Sequence, residues 1–219
     1  PGTSWSSSYR VEFASCRADG ARVTPVISPD TSFLIHRLIE GAEESIAIEQ
    51  AYITNETGTV LNPYLAAAIN ASRRGVSVRV LLDSAWFNIE DEADNDEMVD
   101  VINRIATAEG LPLEARLVDL EANNLVKVHN KGVIVDDRAV LVSSINWNAN
   151  SPAFNREAGV IIEHPAIATY YLAVFDDDWN AADEAGAAGI NRFDRLKPVL
   201  AVCIIAALAM LYLYRSRRT

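Results

Sequence analysis

The chain has 219 residues, half of them hydrophobic, enough to bury one substantial core with appendages at the ends. A formal net charge of −11 and only three lysines leave a surface that repels polyanions, which counts against a general nucleic-acid binder, although the same balance suits a protein kept soluble at high salt. Cys16 and Cys203 exclude a disulfide framework because Cys203 lies in an apolar run; with three histidines in all, no clustered His/Cys metal site and no cofactor is expected.

The chain begins with neither a methionine nor a targeting stretch, and Pro1–Ser8 has linker composition, so residues 1–25 read as a linker or the tail of a preceding segment. A folded domain is expected over residues 26–185. Thr31–Ala42 carries Phe33, Leu34, Leu38 and Ile39 at helical spacing, with Asp30 as its cap. Ser45–Ile53 reads as a buried strand, Asn62–Arg74 as a helix ended by Gly75, and Val76–Leu82 as a second strand. Asp91–Glu109 is an acidic helix closed by Gly110, and Glu114–Leu120 a third strand. Two strands flank the turn Asp136-Asp137-Arg138, the first spanning Val126–Val135. Ala158–Glu163 is a further strand, and Pro165–Ala182 a helix with proline at its first position. Strands alternating with helices predict a layered α/β domain with a mixed sheet.

Residues 186–197 form a juxtamembrane linker, followed by Pro198–Tyr214, 17 residues without a charge. A run this long and apolar on every face predicts a transmembrane helix, with a buried core helix as the alternative. Tyr212 and Tyr214 suit a membrane interface, and residues 215–219 form a basic tail. Arg215, Arg217 and Arg218 favour a cytoplasmic C-terminus with the main domain extracytoplasmic, although Arg192, Arg195 and Lys197 balance them on the other side. Asn55-Glu56-Thr57 and Asn70-Ala71-Ser72 fit the glycosylation pattern.

The chemistry concentrates in Val126 to Asn146. His129 and Lys131 are two apart, as are Ser144 and Asn146, so each pair projects from one strand face. A nucleophile or acid, a fixed cation and two neutral hydrogen-bonding groups make a receptor for a phosphoryl group. Gln50 and Tyr52 point one way from a strand end and line the pocket or pack in the core. Asp136 falls off the His129 face and reads as a turn residue, while His36 and His164 read as structural.

His129-x-Lys131-x4-Asp136-x6-Ser143-Ser144-x-Asn146 resembles the HKD motif of the phospholipase D superfamily, H-x-K-x4-D-x6-G-S-x-N. Glu157 stands where that family often carries a further glutamate, and residues 46–53, 62–82 and 174–179 resemble other segments of one superfamily repeat, the likeness covering roughly residues 25–182. Ser143 departs from the motif glycine, which puts full catalytic strength in question. The resemblance implies a layered α-β-α phospholipase D-like domain and a metal-free reaction. In it His129 is nucleophile or general acid, Lys131 and Asn146 bind the phosphate oxygens, Ser144 supports their pocket, and Glu157 holds the His129 ring. It also implies a second HKD motif, from an upstream repeat or a homodimer partner, because one motif supplies one histidine. The expected activity is that of a membrane-anchored phosphodiesterase or phosphatidyltransferase acting on phospholipids through a phosphohistidine. A nuclease and a non-catalytic binding module at the membrane are the alternatives.

Overall fold

The computed structural model describes residues 13–55, 60–89 and 94–181. Its centre is a seven-stranded sheet: β1 (Arg22–Ser28), β2 (Ser45–Gln50), β3 (Ser77–Leu82), β4 (Leu113–Leu117), β5 (Lys131–Val135), β6 (Ala139–Ser143) and β7 (Glu157–Glu163). The spatial order is β1-β7-β6-β5-β2-β3-β4. β2, β3 and β4 run parallel; every other pairing is antiparallel. The expected mixed α/β architecture is therefore present. Helices α1 (Phe33–Glu40), α2 (Pro63–Arg73) and α3 (Asn95–Glu109) connect the strands, and α4 occupies residues 165–181.

Each sheet face buries its own apolar cluster. Ile46, Ile48, Val78, Val80, Val133 and Leu141 pack with Ile35 and Ile39 of α1, Leu65 and Ile69 of α2, and Ile102 of α3. On the other face Ala47, Leu81, Ile134 and Val140 pack with Ala168, Phe175 and Trp179 of α4. Burial on both faces explains why β2 and β3 read as near-continuous apolar runs. Local signals set the helix ends. Asn62 accepts from the backbone N–H of Tyr64 and Leu65, with Pro63 at the first helical position, and Gly110 closes α3 at φ +65°.

Several boundaries differ from expectation. Residues 22–28, partly assigned to the linker, form an edge strand paired with β7; Pro25 is tolerated there because an edge strand leaves N–H groups outside the ladder. The cap of α1 is Ser32 rather than Asp30, whose carboxylate pairs with Arg156. β5 begins at Lys131, not Val126, because its partner β2 ends opposite it at Gln50. The expected juxtamembrane linker (186–197), transmembrane helix (198–214) and basic tail (215–219) lie outside the described residues. Among the described residues no helix is long and apolar enough to cross a membrane.

Asp136 is the clamp of the β5–β6 hairpin. At φ +51° its carboxylate accepts the backbone N–H groups of Glu43, Glu44 and Ser45, tying the turn to the start of β2. These bonds hold its carboxyl below the ordinary value of 3.8 although burial, the largest single influence, pushes the other way. The expected turn role is what the geometry displays.

Ser143, in place of the motif glycine, fits for a structural reason. It lies opposite Gly159 in the β6–β7 ladder, and a Cβ on residue 159 would sit 2.5 Å from the Ser143 Cβ and 3.1 Å from the Val142 carbonyl oxygen. The close approach that a glycine on β6 would allow is supplied here by the glycine on β7. The Ser143 hydroxyl donates to the Lys131 carbonyl at 3.1 Å and accepts from the Ile145 N–H at 3.2 Å. Gly159→Ala should therefore destabilise the domain by about 1–3 kcal/mol in urea unfolding, the usual range for overpacking, and the added change Ser143→Gly should restore most of the loss. A neutral Gly159→Ala variant contradicts this account.

Candidate active site

The site assembles at one end of the sheet, where β2, β3 and β6 finish and β5 and β7 begin. Carboxyl ends of parallel strands leave a crevice that adjoining loops can furnish. His129, Lys131, Ser144, Asn146, Glu157, Gln50 and Tyr52 all lie there, whereas Asp136 lies at the far end of β5.

His129 is exposed and precedes β5, so, contrary to expectation, it shares no strand with Lys131. Three contacts hold its segment in place of a ladder. The Val128 N–H donates to Asp83 Oδ1 at 2.7 Å, the Asn130 carbonyl accepts from the Ala51 N–H at 3.0 Å, and the Asn130 Nδ2 donates to Glu49 Oε2 at 2.8 Å. Asp83 is wholly buried, and its other oxygen accepts from Asn88 Nδ2 and the Ala85 N–H. Sequence reasoning missed Asp83. The signal was available: a carboxylate closing the apolar strand VRVLL at its carboxyl end.

Lys131 is only 4% exposed, and its Nζ donates to the His129 carbonyl at 2.8 Å. Among the described residues no carboxylate forms an ion pair with it, so donors remain for an anion. Burial pushes its pKa down to about 8, Lys127 adds repulsion, and Glu157 and Asp83 act the other way. His129 is likewise held below the ordinary 6.5, by burial, Lys131 and Lys127 against Asp83. Near neutral pH the pair is thus a free imidazole beside an ammonium ion. A neutral ring can attack phosphorus, and the cation favours the anionic centre being attacked.

Glu157, expected to hold the His129 ring, is occupied otherwise. It accepts from Ser144 Oγ at 2.5 Å, Ser151 Oγ at 2.9 Å and Asn155 Nδ2 at 3.4 Å. The Ser144 hydroxyl, the largest influence, keeps its carboxyl below the usual 4.5. The single proton of Ser144 is accordingly spent on Glu157, and Ser144 shapes the site without a donor left for substrate. Ser151 also accepts from the Asn146 N–H at 3.1 Å, so one serine joins Glu157 to Asn146. Ser144 and Asn146 lie past the end of β6, yet the buried Ile145 and Trp147 preserve the alternation.

Asn146 Oδ1 is buried without a partner, and its Nδ2 makes no hydrogen bond among the described residues. Gln50 pairs in register with Lys131, and both atoms of its buried amide lack partners. Buried amides are normally satisfied, so these two await a polar ligand or water. Tyr52 stands beyond β2, with its hydroxyl accepting from Asn148 Nδ2 at 3.0 Å. His36 pairs with Glu40 and His164 accepts from the Ala166 N–H, so both have structural partners. Among the described residues no group of three or more His, Cys, Asp or Glu could hold a metal ion.

This arrangement agrees with the comparisons to known proteins. The family described as cardiolipin synthase, PLD-like domain, matches residues 35–179. The chain belongs to the phospholipase D superfamily. A phospholipase D of Rickettsia prowazekii is 30% identical over 143 residues, which are 65% of this chain and 58% of that protein. Cardiolipin synthase B of Salmonella typhi is 27% identical over 61% of this chain and 32% of its own length. The chain thus spans less than two thirds of the curated relatives it matches. Among solved structures, the phospholipase D family member Nuc from Salmonella typhimurium has a TM-score of 0.58 and 25% identity, covering 74% of this chain and 95% of its own. NucT from Helicobacter pylori shares the fold at a TM-score of 0.60 with 16% identity. Members of the superfamily are phosphodiesterases and transferases.

Two outcomes check the electrostatics. In a ring-carbon NMR titration the His129 midpoint should lie below 6.5 and move upward in Lys131→Met. In Asp83→Asn, which removes a negative charge, it should fall further; a midpoint above 6.5 in the unaltered chain contradicts the assignment.

Proposed function

We propose that this chain is a phospholipid phosphodiesterase or phosphatidyltransferase working at a membrane surface. The observation that carries the reading is a buried ammonium without a carboxylate partner, set beside a solvent-facing neutral imidazole and an unpaired asparagine amide. That combination suits a phosphodiester, whose single negative charge supplies the missing counter-ion.

In the proposed reaction a His129 ring nitrogen attacks phosphorus. The bond from phosphorus to the leaving oxygen breaks, and a second histidine protonates the departing alcohol. Lys131 Nζ and Asn146 Nδ2 bind the non-bridging oxygens. Water, or a second alcohol, then attacks the phosphohistidine, its proton passing to the second histidine, and His129 leaves unaltered. Hydrolysis and transfer differ only in that acceptor. The second histidine comes from another HKD unit, in an upstream repeat of the same precursor or in a homodimer partner. Because the chain covers nearly all of Nuc, a unit of this size makes up almost a whole chain in that relative.

The apolar run at residues 198–214 supports single-pass anchoring, with the main domain placed extracytoplasmically. An anchor raises the effective concentration of lipid at the site. The names of the Rickettsia and Salmonella relatives favour lipid over nucleic acid, as does the net charge of −11.

Release of head group from phosphatidylglycerol and phosphatidylcholine vesicles, alongside cleavage of single-stranded DNA, separates the readings. The full chain should act on vesicles and lose at least about a thousandfold in rate as His129→Ala, given what nucleophile removal usually costs. Lys131→Met should lose about a hundredfold or more, the cost of an electrostatic donor at phosphorus. DNA cleavage without lipid turnover transfers the assignment to a nuclease; tight vesicle binding without any turnover supports a non-catalytic module.

With Lys131 titrating near 8, turnover should also fall through a limb close to that pH as its proton is lost. An acid limb below 6.5 should mark protonation of His129. A profile flat between pH 5 and 9 overturns both roles.

A further inference from the structure

The residue between the two motif side chains is held from the other side of the sheet. Along β2, Gln50 lies on the face of Ile46 and Ile48, whereas Glu49 shares the face of Ala47, under α4. Glu49 is 7% exposed, and its Oε2 accepts from Asn130 Nδ2 at 2.8 Å. Asn130 is the middle residue of His129-x-Lys131. Its carbonyl is already fixed by the Ala51 N–H, so the Glu49 bond fixes its side chain too.

Glu49, Asn130, Tyr170 and Tyr171 line a cavity of about 330 Å³ between the sheet and α4, which His129 and Lys131 border. We propose that Glu49 is a positioning residue for His129 and Lys131, acting through Asn130 from the opposite face of the sheet. The proposal rests on the phosphodiester reading for its kinetic consequence, but its structural consequence stands apart from that reading.

The geometry constrains the segment at three points. Asp83 grips residue 128, Ala51 the carbonyl of residue 130, and Glu49 the side chain of residue 130. His129 lies between these anchors, and among the described residues its side chain makes no hydrogen bond. Its ring position is therefore inherited from its neighbours, and a catalytic group misplaced by an ångström forfeits much of its rate. Removing Asn130 from Glu49 frees the middle of the segment while leaving the Asp83 contact intact.

The anchor is also titratable. Burial, with a smaller contribution from Asp178 of α4, pushes Glu49 up to about 7, and the Asn130 bond opposes the shift. The groups facing it are Asp178, Tyr170 and Tyr171 of α4 and the His129–Lys131 segment. Arg79 of β3 and Arg116 of β4 face the same layer, with Arg79 paired to Asp176, Arg116 to Glu114, and both guanidinium groups against Trp179. Near neutral pH Glu49 thus passes from a neutral carboxyl to an anion behind the site. Glu49→Gln keeps an acceptor for Asn130 and mimics the neutral form; Asn130→Ala removes the contact from the exposed side.

The test combines a titration with kinetics. In the unaltered full chain the His129 ring carbons should show a second inflection near pH 7, absent in Glu49→Gln and in Asn130→Ala. With bis(p-nitrophenyl) phosphate as substrate, Asn130→Ala should lower kcat about tenfold with KM little altered, and Glu49→Gln should restrict its loss to about threefold while smoothing the profile near pH 7. A His129 titration and a kcat both unmoved by Asn130→Ala overturn the proposal. If the protein carrying both HKD units does not turn the substrate over, the phosphodiester reading fails, and the second inflection alone then decides whether the coupling exists.

Discussion

An ammonium group taken out of water without a carboxylate to meet it is the feature around which the rest of this domain is organised. Such a cation is costly to bury, and proteins normally neutralise it, pair it or hold it for a ligand. Lys131 has no carboxylate paired with it among the described residues. Among the described residues its ammonium group donates to the carbonyl of the residue two positions earlier, and its lowered affinity for a proton reports the same cost. The fold gives this charge rigid surroundings. β5 is hydrogen-bonded on both sides, to β2 and β6, and its turn is clamped by Asp136 to the start of β2. A strand held in this way cannot relax to expose the lysine.

The carboxylates divide the work without overlap. Asp136 serves the hairpin at one end of β5, and Asp83 serves the histidine segment at the other. Glu157 binds two serines and an asparagine, fixing the polar wall opposite Lys131 and leaving the imidazole uncommitted. Among the described residues that ring has no hydrogen-bond partner, so both its nitrogens stay uncommitted. The price of this freedom is positional: the ring depends on the backbone around it, which three separate contacts restrain.

Superfamily membership and site geometry carry different weights. Membership follows from the matched residues 35–179 and explains why a mixed sheet of this order bears the motif where it does. Function depends on particular side chains. The exchange of glycine between facing strands, with Ser143 on β6 and Gly159 on β7, illustrates the difference. A motif read residue by residue registers a departure at 143. In this ladder the residue that admits the close approach is Gly159, on the facing strand.

Much of this was legible in the linear chain. Helical spacing, the Asn62-Pro63 start and the Gly110 stop located helices, and continuous apolar runs located β2 and β3, because those signals act over a few residues. The spacing of His129, Lys131, Ser144 and Asn146 singled out residues that the fold gathers at one end of the sheet. Edge strand β1, carrying Pro25, was not legible, since its strand partner is the distant β7, with Arg22 opposite Glu163 and Ser28 opposite Glu157. Nor was the start of β5, which is decided by where β2 ends. Asp83, Ser151 and Glu49 became visible as supports only once distant strands and loops had been brought together. Local pattern thus determined most elements and the candidate site residues, and tertiary packing decided what holds those residues still, because hydrogen bonds between segments far apart in sequence leave no period to read.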